Sequence, residues 1–117
     1  MNRALIASVL IACLAGCSTR GDMRKRPADL EVASDRSAKT VAVCIADRWE
    51  NGNALSSLGA TYPITTRPLE NGYTVSITSY PTLFADIVDR GTGSTVRFYR
   101  DPVSPGFEVD VRKCASK

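Results

Sequence analysis

Cysteine is the residue type in this chain with the widest range of possible chemistry. Its usual partner in catalysis, histidine, is missing. The 117 residues include four cysteines and no histidine. Histidine is the commonest general base and metal ligand near neutral pH. Without it, a cysteine or serine nucleophile has no ready activating base. We therefore expect a non-catalytic protein that binds no metal and no cofactor, with cysteines that serve attachment and cross-linking.

Two pairs of carboxylates have a spacing that catalysis could use. Asp47 and Glu50 lie three residues apart in a helical pattern, and Asp86 and Asp89 lie three apart in a strand-like region. Paired carboxylates carry out glycoside hydrolysis when they flank a sugar bond. An arginine lies beside each pair, however, and acids at this spacing are ordinarily solvated. We expect neither pair to be catalytic.

The first seventeen residues form a leader that ends in a cysteine. Arg3 precedes an apolar run over residues 4–14, which is too short for the roughly 20 residues of a membrane span. A charged start, a short apolar run and small residues before a cut are typical of a secretory signal. The run closes on Leu14-Ala15-Gly16-Cys17, which resembles the lipobox of bacterial lipoproteins. A transmembrane anchor and an ordinary cleaved signal are the alternatives.

The lipobox resemblance implies a signal peptide over residues 1–16 and a lipidated Cys17 as the mature first residue. Such cysteines carry a diacylglyceryl group and often an N-acyl chain, and two or more chains hold a protein stably on a membrane. Ser18 follows the cysteine where Asp would favour retention in the inner membrane. We therefore expect the protein on the periplasmic face of the outer membrane.

Positive charge is concentrated just after Cys17. The mature chain has fourteen cations and twelve carboxylates, and four of those cations fall within residues 20–26. From Pro27 onward, ten cations face eleven carboxylates, so the remainder is close to neutral and we expect no nucleic acid partner. Residues 17–34 are predicted to form a flexible basic tether. This tether either contacts anionic headgroups or is a solvated spacer.

Residues 35–117 are enough for one small domain, which commonly needs a covalent cross-link. Once Cys13 is removed and Cys17 is lipidated, Cys44 and Cys114 are the two remaining thiols. The periplasm is oxidising, so we expect these two to form a disulfide. Buried free thiols and an intermolecular bridge are the alternatives.

Periodicity predicts a two-layer α+β domain. Apolar residues recur at helical spacing in residues 37–51, and the period then changes to two with β-branched residues dominating. Asn71-Gly72 predicts a hairpin with a type I′ turn. We expect an N-terminal helix packed on a four-strand antiparallel meander and a C-terminal segment held by the disulfide. Residues 107–114 fit either a strand or, as we favour, a short helix.

Three blocks in this domain carry a second resemblance. Residues 44–50, 71–75 and 93–99, together with Cys114, are similar to a group of small uncharacterised proteobacterial lipoproteins. The similarity spans most of residues 40–114. It implies the α+β fold and the disulfide, and it brings no activity with it.

One sheet face is predicted to remain open, and it is the candidate interaction face of the domain. The alternative, which we favour, is the ordinary solvated face of a sheet that is covered on one side. Alternation puts Arg97 and Tyr99 on the candidate face, opposite the buried Val96 and Phe98, and arginine and aromatic side chains commonly anchor interfaces. Thr74, Ser76, Thr78 and Tyr80 are predicted to share this face. The leading function is an envelope adaptor or structural lipoprotein with a protein or cell-wall partner. An inhibitor of a lysozyme-like hydrolase is the alternative, and a cell-wall enzyme is the third.

Overall fold

The computed structural model describes residues 19–51, 63–77, 80–100 and 106–116. The predicted signal peptide, Cys17 and Thr78 lie outside these ranges. Within these ranges the helices are α1 (Thr19–Lys25), α2 (Ala38–Asn51) and α3 (Gly106–Ser116). The strands are β1 (Leu30–Ser34), β2 (Ile64–Leu69), β3 (Gly72–Ile77), β4 (Tyr80–Asp89) and β5 (Ser94–Tyr99).

The five strands form one antiparallel sheet in the order β1-β5-β4-β3-β2. Strands β2 to β5 are the predicted meander, and the α+β class is confirmed. The prediction of four strands is wrong, because β1 pairs with β5 along its whole length, from Leu30 opposite Phe98 to Ser34 opposite Ser94. Both β1 and α1 fall inside residues 17–34, which were predicted to be a flexible tether. Both elements are folded against the sheet, α1 by contacts with β4 and β5 and β1 by pairing with β5.

Helices α2 and α3 cover one face of the sheet, called here the inner face. The α2 helix begins where Ser37 accepts a hydrogen bond from the Thr40 amide, as an N-cap does. Its apolar side ends in the fully buried Trp49, which packs edge-on against Phe98 and Phe107. The aromatic contact joins both helices to the sheet and forms the centre of the core.

The C-terminal segment is a helix, as favoured, and a disulfide links it to α2. Cys44 and Cys114 are bonded with their Cα atoms 5.6 Å apart, within the range such bonds require. Two hydrogen bonds also fix the C-terminal end of α3. Ser34 donates to the Ala115 carbonyl, and Arg36 donates to the Cys114 carbonyl. The predicted disulfide is confirmed, and it closes the helix layer over the sheet.

The Asn71-Gly72 hairpin lies where it was predicted, but its turn differs. Leu69 pairs with Gly72, so Glu70 and Asn71 are the loop residues. A type I′ turn needs positive φ at both, and of the two only Asn71 has it, at 61°. Gly72 is required for another reason: a Cβ there would collide with the Ile87 carbonyl of β4.

Candidate functional site

The candidate site is the outer face of the sheet, opposite α2 and α3. Because the strands pair in register, outward side chains from neighbouring strands align in three rows across this face. The aromatic row consists of Thr65, Ser76, Phe84 and Tyr99; the charged row of Arg67, Thr74, Asp86, Arg97 and Glu31; and the small row of Leu69, Gly72, Val88, Thr95 and Ala33.

Helix α1 lies over the aromatic row. Met23 of α1 packs in a buried cluster with Phe84 and Tyr99. The two rings are stacked, with centroids 4.9 Å apart and planes 20° apart. An isolated seven-residue helix is not stable in water, so α1 depends on these tertiary contacts for its structure. A second, smaller core therefore exists on the face that was predicted to be open.

A buried carboxylate fixes α1 to the charged row. Asp86 is 7% exposed, and its two oxygens accept hydrogen bonds from Arg24 Nε at 2.7 Å and Nη2 at 2.9 Å. Thr74 also donates to Asp86, at 2.7 Å, and accepts from Arg24 Nη2 at 3.2 Å. A bidentate arginine–carboxylate pair is both strong and geometrically specific. This network determines where α1 sits on the sheet.

The guanidinium groups of Arg20 and Arg24 both lie over the Phe84 ring, at 5.8 and 5.0 Å from its centroid. Both distances are within the range of a cation–π interaction. The hydrogen bond to Asp86 raises the pKa of Arg24. Burial, followed by repulsion from Arg24 and Arg67, lowers the pKa of Arg20. Both groups stay charged, because an arginine guanidinium is not deprotonated in proteins.

Tyr99, one of the two predicted interaction residues, is not accessible in this structure. Only 4% of it is exposed, because Met23 and the Phe84 ring cover it. The expectation of an open face at this position is wrong, and so it is for Thr74 and Ser76, which are also buried. Desolvation raises the pKa of the Tyr99 hydroxyl, and the nearby Asp86 carboxylate adds to the effect.

Arg97, the other predicted interaction residue, is exposed beside the buried part of the face. Its side chain is 55% exposed and donates to Glu31 of the neighbouring strand at 3.1 Å. Such a solvated pair contributes little to stability, so Arg97 can exchange Glu31 for another partner at small cost. The sequence placed Arg97 and Tyr99 on the same face, as the structure does, but only Arg97 can be reached from solvent.

The carboxylate pairs considered for catalysis have other roles or are separated. Asp86 faces outward and binds Arg24, whereas Asp89 faces inward and accepts a hydrogen bond from the Ala38 amide at the start of α2. Asp47 accepts a hydrogen bond from Asn51 at 3.1 Å on the exposed side of α2. Among the described residues, no group of three or more potential metal ligands converges.

The small row is the part of the outer face that α1 leaves open. A shallow cavity of about 150 Å³ is lined there by Val88, Asp89, Arg90, Thr95 and Arg97. Val88 gives this cavity an apolar surface beside the charged Asp89, Arg90 and Arg97. Its size suits a single side chain of a partner rather than a whole small molecule, for which sites of roughly 300 Å³ or more are usual.

Sequence reasoning missed the residues that hold the outer face together, Met23, Arg24 and Asp86. Met23 is the single large apolar residue of α1, so α1 shows no helical periodicity. The acid–base pairing between Arg24 and Asp86 leaves no sequence signal either.

No protein family, no curated protein and no solved structure was found to match this chain. In the described part of the chain, no helix is long and apolar enough to cross a membrane.

Proposed function

We propose that this chain is a lipoprotein of the bacterial cell envelope, anchored through Cys17 to the periplasmic face of the outer membrane. In this proposal its domain acts by binding a protein or cell-wall partner and performs no catalysis. The observation that carries the proposal is the disulfide between Cys44 and Cys114. Disulfides persist in exported proteins and are rare in the cytosol, so this bond supports a role for the leader in export.

The disulfide also bears on the role of Cys17. Four cysteines are present, and the bond accounts for two of them. Cys13 lies within the apolar run, so it would be removed with the leader. Cys17 is then the one mature cysteine that does not take part in the bond. A lipid thioether at this position leaves no free thiol in an oxidising compartment.

A binding role is supported by the way the polar side chains are used. Asp86 and Asp89, one of the carboxylate pairs considered for catalysis, face opposite sides of the sheet, where Asp86 binds Arg24 and Asp89 caps α2. The outer face instead offers an exposed arginine, Arg97, at the edge of a shallow cavity that Val88 also lines. Such a combination fits the anchor of a protein interface, where arginine is enriched.

The test compares two cysteine variants in cells given a radiolabelled fatty acid. Wild-type protein should take up the label and fractionate with the outer membrane, since acyl chains supply its membrane affinity. Cys17→Ser should carry no label. Cys13→Ser is the matched control and should behave like wild type. Label that persists in Cys17→Ser would contradict the proposed anchor.

The partner is tested separately, by affinity capture from solubilised envelope with full-length chain as bait. A stable envelope complex that is lost in Arg97→Ala supports the adaptor role. Capture of a lysozyme, or inhibition of one by the purified domain, would instead assign the protein as a hydrolase inhibitor. Release of fragments from isolated cell wall would contradict the non-catalytic role.

A further inference from the structure

Two arginines border the cavity in the small row of the outer face. Between them lies the cross-strand pair of Val88 on β4 and Thr95 on β5, both half-buried. Arg97 is two residues after Thr95 on β5, and Arg90, two residues after Val88, lies just past the end of β4. Because the strands are antiparallel, the two arginines lie on opposite sides of the Val88–Thr95 pair, and both line the cavity.

Small residues on the neighbouring strands leave the space between the arginines open. Gly72 of β3 pairs with Val88, and Ala33 of β1 pairs with Thr95. Glycine has no side chain and alanine has a single methyl group, so neither residue fills that space. The resulting volume of about 150 Å³ admits one side chain of a partner.

Arg90 has no carboxylate partner among the described residues. Its Nε donates to the Ser94 carbonyl at 3.2 Å, and none of the ion pairs in the described ranges includes it. The Asp89 carboxylate accepts from the Ala38 amide on the inner face. An arginine that a neutral carbonyl holds in place keeps its charge and its terminal N–H donors for a second acceptor.

Arg97 binds a carboxylate within the domain, that of Glu31 on β1. The contact joins Arg97 Nε to Glu31 Oε1 at 3.1 Å, and both side chains are more than half exposed. An exposed pair of this kind contributes little, and it uses one of the five N–H donors of the guanidinium group. A carboxylate that contacts Arg97 and Arg90 together would therefore gain more than the displacement of Glu31 costs.

We propose that the cavity between Arg90 and Arg97 binds the side-chain carboxylate of an Asp or Glu residue on a protein partner. The methylene part of that side chain packs on Val88, and its carboxylate binds the two guanidinium groups in place of Glu31. The inference rests on the proposed binding role and names the chemistry of the partner at this site. A single protein side chain is favoured over a cell-wall glycan, because several sugar rings need a larger groove than this cavity.

The experiment is an NMR titration of the isotope-labelled mature chain with Cys17→Ser, which contains every residue that the structure describes. The probe is a pentapeptide of four alanines around one glutamate, capped at both ends so that the glutamate carries its single charge. The same peptide with glutamine in place of glutamate is the neutral control probe. A soluble stem peptide released from cell wall is the third probe.

Arg90→Gln and Arg97→Gln each remove one guanidinium group from the cavity. Arg112→Gln is their matched control, since it removes the same charge from an exposed position of α3 on the other side of the sheet. Glu31→Gln removes the competing carboxylate. Glu50→Gln, at an exposed position of α2, is the matched control for that change.

We expect saturable binding of the glutamate peptide, with shifts centred on the Val88 and Thr95 amides, and at least about tenfold weaker binding of the glutamine peptide. Arg90→Gln and Arg97→Gln should each weaken binding by about tenfold, the contribution of a hydrogen bond to a charged group. Glu31→Gln should strengthen it about two- to fivefold, because the exposed pair no longer competes. The two control variants should stay within about twofold of the parent. The dispersion of each spectrum checks that the variant is folded.

Absence of binding, or equal binding of the glutamate and glutamine peptides, would overturn the proposal. Equal losses in Arg112→Gln and Arg97→Gln would overturn it as well, because net charge alone would then explain the binding. Binding of the cell-wall stem peptide tenfold tighter than that of the glutamate peptide would contradict the assignment to a protein partner.

The carboxylate site and the proposed function can fail independently. If the glutamate peptide does not bind while an envelope complex is still captured, the site is refuted and the proposed binding role stands. If the peptide binds at the cavity but the chain carries no lipid and captures no envelope partner, the site stands and the proposed function is refuted.

Discussion

Arg24 and Asp86 are separated by 62 residues in sequence and form a bidentate ion pair on the outer face of the sheet. The pair joins α1, which begins at Thr19, to the central part of the domain. The chain from Thr19 onward, two residues after Cys17, is therefore part of the fold. In a lipid-anchored protein this arrangement holds the domain close to the membrane instead of suspending it on a flexible tether.

Replacing Arg24 by Met should destabilise the domain by about 1–3 kcal/mol. The variant keeps most of the apolar contact of the side chain but leaves the buried Asp86 carboxylate without its main partner. Urea denaturation measures the difference. Arg97→Met is the matched control, since its partner Glu31 is exposed, and it should cost less than about 1 kcal/mol.

A double-mutant cycle separates the ion pair from the other contacts of α1. Asp86→Asn alone should also be destabilising, because it leaves Arg24 without its carboxylate. The double variant Arg24→Met/Asp86→Asn should be less destabilised than the sum of the single variants, by about 1 kcal/mol or more. Strict additivity would mean that the pair does not hold α1 on the sheet.

Reduction of the disulfide should unfold the domain or lower its melting temperature strongly. The bond between Cys44 and Cys114 spans 70 residues. On the chain-entropy model, closing a loop of that length favours the folded state by roughly 4 kcal/mol, which is comparable to the whole stability of a small domain. Thermal denaturation with and without reductant tests this. A thiol titration of the unreduced, denatured protein should find no reactive group from this pair.

The two residues predicted to form an interaction face should respond differently to alanine substitution. Tyr99→Ala removes a buried ring from the cluster beneath α1 and should cost about 3 kcal/mol. Arg97→Ala should leave the stability nearly unchanged and weaken partner capture by about tenfold. Urea denaturation and capture from solubilised envelope provide the two readouts. If Arg97→Ala captures partners as well as wild type does, Arg97 is not part of the binding surface, and the exposed side of α2 becomes the next candidate.

Stability should fall at alkaline pH because of Tyr99. Burial raises the pKa of its hydroxyl in the folded state, so the unfolded chain, with a tyrosine pKa of about 10, loses the proton first. The contribution of the neutral hydroxyl is complete below about pH 10 and is lost as the pH rises toward the folded pKa. The slope for one proton is at most about 1.4 kcal/mol per pH unit.

The comparison of wild type with Tyr99→Phe isolates that contribution. The difference in the free energy of unfolding between the two proteins should be constant near neutral pH and should shift in favour of Tyr99→Phe above about pH 10. Urea denaturation across this range provides the measurement. Parallel pH profiles for the two proteins would contradict a raised pKa at Tyr99.

The inner face of the sheet was predictable from sequence because burial there leaves a periodic signal. Val41, Ile45 and Trp49 recur at helical spacing and are all fully buried, and Val96 and Phe98 alternate along β5 as expected. Cys44 and Cys114 could be paired from the compartment and the cysteine count alone. These signals depend on neighbours in sequence, or on a count, and require no knowledge of distant contacts.

The outer face could not be predicted in the same way. Strand β1 has five residues and only Leu30 and Val32 as inward large apolar side chains, so its alternation is too short to distinguish from a polar linker. Helix α1 buries Met23 and relies on Arg24, whose partner Asp86 is 62 residues away. Alternation correctly indicated which way Tyr99 points. It could not indicate that a segment assigned to the tether would cover that residue.

The most direct test of the proposed function is the intact mass of the protein purified from membranes of its native host. The account predicts a chain that begins at Cys17, carries the mass of a diacylglyceryl group with or without an N-acyl chain, and gains two hydrogens on reduction of one disulfide. Tandem fragmentation should place the lipid on Cys17. An unlipidated chain, whether it retains residues 1–16 or begins elsewhere, would contradict the account.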